Sequence, residues 1–285
     1  MENSKLESKY LNSVTCSTVV SEDGTKIGYR SFGEGPGLIV IHGALSSSAE
    51  FMEFAEALSA SFTVHVLDRR GRGLSGPQGE DYSIYKECED VKAVQGATGA
   101  EYIFGHSYGG LVTLEAVRKG IPVTKIALYE PGVTVHSNPS DWTWIFEYEK
   151  AMNKKDFRGA FAFFVRGAGH TPLTKMPLWY AKFILRMMIR GEHWKRIQKL
   201  LSENLNEHKQ VMSLSSTFTN YENIDTEILL ISGEKSPKSV HEMMQVLRNT
   251  IPKAKSKVLA KLDHLAPENR NAPVEVAKHV KNYFL

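Results

Sequence analysis

The chain has 285 residues, with 42% hydrophobic and 24% charged positions and a formal net charge of +3. These values exclude a disordered chain and suit one α/β core carrying an insertion. With 35 Lys and Arg against 32 Asp and Glu, nothing in the overall balance demands a nucleic acid or an anionic membrane as partner. Cys16 and Cys88 are too few for a disulfide framework and lack metal-ligand spacing, so a reducing compartment is expected. The segment Met1 to Ser8 has no apolar core after a basic start, and the apolar runs are strand-sized. A soluble, cytoplasmic protein is the expectation. The basic cluster Lys195, Arg196 and Lys199 reads as the solvated face of a helix.

In chain order, Thr18 to Ser21 and Lys26 to Arg30 flank Asp23-Gly24, a pair suited to the positive φ angles of a hairpin turn. Continuous apolar runs follow at Leu38 to Ile41, Val64 to Leu67 and Tyr102 to Phe104, each ahead of a helical segment, as in strands buried on both faces of a parallel sheet. Ser47-Ser48-Ala49-Glu50 has the capping-box pattern, predicting a helix that carries Phe51, Phe54, Ala55 and Leu58. Three more strands are predicted at Lys125 to Tyr129, Glu227 to Ile231 and Ser256 to Ala260. Between the first two the alternation stops, and amphipathic helices are predicted over Trp144 to Met152, Phe157 to Phe164, Pro177 to Arg190 and His193 to Leu205. The predicted organisation is an α/β core over 1–131 and 226–285 with a helical insertion over 132–225. In that insertion Trp142, Trp144, Phe161, Phe163, Phe164, Trp179, Tyr180 and Phe183 are candidates for an apolar pocket or for pinning the helices.

The tract Gly105-His106-Ser107-Tyr108-Gly109 matches G-x-S-x-G between a predicted strand and a predicted helix. Small residues two before and two after the serine allow a tight turn that exposes its hydroxyl, and the helix start directs N–H groups at the same place. Ser107 is therefore the candidate nucleophile. Gly71-Arg72-Gly73-Leu74-Ser75-Gly76 matches a dinucleotide fingerprint, but Pro77 and Gly79 break the helix that the fingerprint requires. The ten histidines show no His-Glu-x-x-His spacing, so no metal is expected.

Ser107 on its turn, His42-Gly43 after the third strand, Asp68 to Gly73 after the fourth and Asp263 to Pro267 near the C-terminus together resemble the α/β-hydrolase superfamily. The resemblance implies a mostly parallel eight-stranded sheet flanked by helices, with the insertion as a helical cap. It implies that His264 is the base, and that the backbone N–H groups of Ala44 and Tyr108 form an oxyanion hole. His42 and His106 are expected to tune packing and hydrogen bonds, and Asp68 to brace its loop. The family's acid most often follows the seventh strand, where this chain has Gly233-Glu234-Lys235-Ser236, and a serine cannot supply the charge. Glu130, after the sixth strand, is assigned instead, with Glu234 as the alternative.

The implied activity is a cofactor-independent serine hydrolase acting on a small ester, thioester or lactone with an apolar part. A lyase or carbon–carbon bond hydrolase on the same scaffold, or a ligand-binding or signalling homologue that does not turn over, are the competing readings. Oligomeric state has no signature in the sequence.

Overall fold

The computed structural model describes residues 14–135, 138–168 and 172–285. The segment Met1 to Ser8 lies outside them. Eight strands form one sheet in the order β1-β2-β4-β3-β5-β6-β7-β8. They are β1 (Thr15–Val20), β2 (Lys26–Phe32), β3 (Gly37–Ile41), β4 (Thr63–Asp68), β5 (Tyr102–His106), β6 (Lys125–Tyr129), β7 (Glu227–Gly233) and β8 (Ala254–Leu259). The pairs β1/β2 and β2/β4 are antiparallel, and every later pair is parallel.

Helices α1 (Met52–Ser59), α2 (Ile84–Thr98), α3 (Tyr108–Arg118), α9 (Lys238–Thr250) and α10 (Pro273–Phe284) accompany the sheet. Leu38, Val40, Phe104 and Ile231 from the strands pack with Phe54 and Phe284 from the helices in one fully buried cluster. The alternate residues Ile39, Ile41 and Ile103 are fully buried as well, so the apolar runs are covered on both faces and carry no polar alternation. At the sheet edge β8 presents Lys255 and Lys257 to solvent, charges that discourage pairing with another strand.

Local details differ from the sequence-based expectations in three places. At the first hairpin only Gly24 takes a positive φ, of 83°, and the Ser21 amide reaches the Thr25 carbonyl at 2.8 Å. The turn is therefore longer than a two-residue Asp-Gly connection. Ser47 makes no side-chain cap, and the segment Ser48–Phe51 is a 3₁₀ turn ahead of α1. The neighbouring Ser48 hydroxyl is drawn instead to Asp68 and Arg30. The predicted helix over His193 to Leu205 is two helices that break at Leu200.

The chain divides into two compact units, the sheet unit up to Gly132 and over Thr219–Leu285, and a helical unit over Val133–Phe218. The sheet unit resumes before the expected residue 226, because the Tyr221 hydroxyl, buried, donates to Glu115 of α3 at 2.8 Å. The helical unit contains α4 (Thr143–Asn153), α5 (Phe157–Gly167), α6 (Leu178–Met188), α7 (Gly191–Lys199) and α8 (Leu201–Ser213). Within it Trp144, Tyr148, Phe164 and His208 form one aromatic cluster, and Phe161 is buried against Trp194. Trp179, Tyr180 and Phe183 do not line an interior, since all three are exposed on α6.

Candidate active site

The turn between β5 and α3 is held mainly by backbone bonds. Ser107 takes φ 53° and ψ −120°, a conformation that an L-residue adopts only when its surroundings enforce it. Its amide donates to the Tyr129 carbonyl at 3.0 Å, and its carbonyl accepts from Gly132 at 2.8 Å. A Cβ on Gly105 would lie 2.5 Å from Thr113 Oγ1, and one on Gly109 2.3 Å from the Ile41 carbonyl oxygen. Both glycines are needed for close approach, which leaves the half-buried Ser107 hydroxyl at the carboxyl edge of the sheet.

Glu130 follows β6 with φ 45° and is buried. One carboxylate oxygen accepts from His264 Nδ1 at 2.7 Å. The other accepts from the Gly233 amide at 2.8 Å and the Ser236 hydroxyl at 2.5 Å. Burial pushes the Glu130 carboxyl pKa up, but the bonds from His264, Ser236 and Gly233 outweigh it and hold the carboxyl below its ordinary value. The slot after β7 therefore supports a carboxylate instead of supplying one. Glu234 points elsewhere: its carboxylate accepts the Lys261 amide at 2.8 Å.

His264 Nε2 lies 3.2 Å from Ser107 Oγ. With Nδ1–H donated to Glu130, Nε2 is left as the acceptor for the serine hydroxyl. The loop that carries His264 is tied on both sides. His106 Nε2–H donates to the His264 carbonyl at 2.9 Å, and the Tyr129 hydroxyl donates to the Asp263 carbonyl at 2.7 Å. His106 thus braces the loop that carries His264.

His42-Gly43 passes directly beside the turn, since a Cβ on Gly43 would come 3.0 Å from Ser107 Cβ. Buried Arg69 donates to the Gly43 carbonyl at 3.1 Å, and His42 Nδ1–H donates to it at 2.9 Å. In a planar trans peptide the N–H points opposite to the carbonyl, so these two bonds fix the direction of the Ala44 amide. Arg69 is itself clamped by Glu87 at 2.6 and 2.7 Å and lies 4.6 Å from the Tyr108 ring centroid. Tyr82 joins Glu87 to Tyr108 with hydroxyl contacts of 2.6 and 2.7 Å. Tyr108 opens α3, and the first amides of a helix have no partner inside it. Burial, and then the charges of Arg69 and Arg72, keep His42 well below the ordinary histidine pKa, so it is neutral and its Nε2 accepts from the Arg69 amide.

Asp68 accepts from Arg30 at 2.7 Å, from the Leu74 amide at 3.0 Å and from Ser48, which braces the loop that holds Gly71 to Gly76. No helix starts within that tract; the next begins at Ile84. Among the described residues, no group of three or more His, Cys, Asp or Glu side chains is placed to hold a metal ion, and no helix is long and apolar enough to cross a membrane.

A profile of the alpha/beta hydrolase family matches residues 38–279. The chain belongs to that family. An alpha/beta hydrolase from Sphaerobacter thermophilus superposes with a TM-score of 0.79 at 27% identity, over 94% of this chain and all of the other. N-formylmaleamate deformylase of Pseudomonas putida is 34% identical over 121 residues, which are 40% of this chain and 45% of that protein. Pimeloyl-[acyl-carrier protein] methyl ester esterase of Vibrio parahaemolyticus is 34% identical over 126 residues, 40% of this chain and 42% of that protein. The chain spans less than half the length of these two curated relatives.

Arg69, Glu87 and Tyr82 had no assigned role in the sequence reading. Their signal was present: Glu87 and Asp90 lie three apart on a helix face shared with Ile84, Cys88 and Val91, and two adjacent arginines follow β4. Acids on a buried helix face require cationic partners.

Proposed function

We propose that the protein is a serine hydrolase that cleaves a small ester, thioester or lactone through an acyl-enzyme on Ser107. The observation that carries this reading is the unbroken relay from Ser107 Oγ to His264 at 3.2 Å and from His264 to buried Glu130 at 2.7 Å. Ser107 Oγ attacks the carbonyl carbon while its proton passes to His264 Nε2. Glu130 holds the ring in this tautomer and stabilises the imidazolium. The oxyanion is received by the Ala44 and Tyr108 amides, whose surroundings are fixed by Arg69 and by the start of α3. As the carbonyl re-forms, the bond to the leaving oxygen or sulfur breaks and His264 returns its proton to that atom. Water then attacks the acyl-enzyme by the same route, giving the acid and free Ser107.

Two relatives support the class of bond: one is named for removing a formyl group from N-formylmaleamate and the other for cleaving a methyl ester. The decisive experiment combines labelling by a fluorophosphonate probe with turnover of a short-chain aryl ester. Labelling and turnover that both vanish in Ser107→Ala are expected. Absence of both in the unaltered protein would favour a ligand-binding homologue.

A further inference from the structure

Helix α6 turns a row of large apolar side chains to solvent. Trp179, Phe183 and Met187 recur at every fourth position and are 71%, 56% and 52% exposed, while Ala181 and Leu185 on the other face are buried. A contiguous row of this kind is unfavourable in water and marks an interaction surface.

Cations stand beside the row. Arg158, Arg186 and Arg190 line an open surface hollow of about 440 Å³ together with Phe183 and Met187. Arg158 is held in place by the Trp194 ring, 3.6 Å from its centroid, and by the Ile189 carbonyl at 2.9 Å. The acids closest in sequence are engaged with lysines, Asp156 with Lys182 at 2.8 Å and Glu192 with Lys195 at 2.7 Å. Among the described residues, none of the three guanidiniums is paired with a carboxylate. Burial and then the neighbouring Arg186 charge lower the Arg158 pKa, as expected where like charges crowd. From 175 to 199 the sequence holds seven Lys and Arg against one acid, Glu192.

We propose that this face of the helical unit docks on an anionic lipid surface, with Trp179, Phe183 and Met187 in the headgroup region and the three arginines on lipid phosphates. Helices with an aromatic and apolar face beside Lys and Arg lie in the plane of such interfaces, and each basic residue near the surface adds attraction to anionic headgroups. A second copy of the chain is a poor occupant, because a two-fold contact would set the same arginines against one another. The whole-chain charge of +3, from which no membrane partner is expected, conceals this local excess. The inference is independent of the chemistry at Ser107.

Co-sedimentation of the full chain with vesicles tests it. Vesicles of phosphatidylcholine mixed with phosphatidylglycerol should carry the protein down at about 0.1 M salt and release it as salt rises, whereas phosphatidylcholine alone should not. The triple variant Arg158→Gln, Arg186→Gln, Arg190→Gln should bind about a hundredfold more weakly. A Trp179→Ser, Phe183→Ser variant should lose the salt-resistant part of binding. Both variants should keep the circular dichroism spectrum of the unaltered protein, since the substituted side chains are exposed or half-buried, while loss of the Arg158 contacts to Trp194 and Ile189 lowers the melting midpoint of the triple variant. Equal binding to neutral vesicles, no binding to anionic ones, or a dimer that dissociates in the Trp179 variant would each overturn the proposal.

Discussion

At the scale of single residues, the arrangement turns on how Glu130 is held. A carboxylate beneath an imidazole is useful only if it stays ionised, and three donors keep it so against its burial. Glu130→Gln would leave the shape intact but lose the charge that fixes the His264 tautomer. In a comparable triad the amide substitution costs about ten-thousandfold in turnover, and a loss of that order is expected for aryl ester hydrolysis, with the circular dichroism spectrum of the folded protein retained. Ser236 occupies the position where the family more often carries its acid, and its hydroxyl is 2.5 Å from Glu130. The double variant Glu130→Gln, Ser236→Asp is therefore expected to recover activity relative to Glu130→Gln alone. Activity of the single variant near that of the unaltered protein would remove Glu130 from the relay.

Among the elements, the β4–α2 connection is where the site is stabilised from behind. Arg69 and Glu87 are both buried and bonded at two points, so removing one partner strands the other charge. Arg69→Met should destabilise the fold by about 3–5 kcal/mol, measured by urea unfolding. Arg69→Met with Glu87→Met should restore much of that stability yet still turn over slowly, because the Gly43 carbonyl loses one of its two donors and the Ala44 amide its fixed direction. Full activity in the double variant would show that His42 alone suffices. The strands and the Ser107 turn were legible because their determinants are local: continuous apolar runs, paired glycines and a helix start. The contact of Glu130 with His264 was expected from the place of Glu130 after β6 and from Ser236 being unable to hold a charge. The Arg69 clamp was not, since it depends on side chains 18 positions apart that meet only once the β4–α2 connection has folded. The break at Leu200 was missed because the apolar period runs through it, and Ser47 failed as a cap because Asp68 recruits its neighbour.

For the whole molecule, buried titratable groups set how stability depends on pH. His42 is buried and held neutral by burial and by the charges of Arg69 and Arg72, so its folded pKa is below the unfolded value near 6.5. Between those two values the unfolded chain binds a proton that the folded one excludes. Stability is therefore complete above about pH 6.5 and is lost as pH falls through that point toward the folded pKa, by at most about 1.4 kcal/mol per pH unit for one group. His65, lowered by burial, acts in the same direction. Glu130, its pKa lowered despite burial, adds a second loss at more acidic pH, since its contribution is present above the unfolded carboxylate value near 4.3 and fades as pH drops through the folded one. Urea unfolding followed from pH 7.5 to 5.5 should thus show little change down to about pH 6.5 and a decline below it in the unaltered protein. His42→Asn keeps a donor for the Gly43 carbonyl but cannot titrate, so it should begin from a lower stability and decline less steeply over the same interval. Equal slopes for the two proteins would mean that His42 takes up its proton in the folded state, with Gly43 and Arg69 rearranged around it.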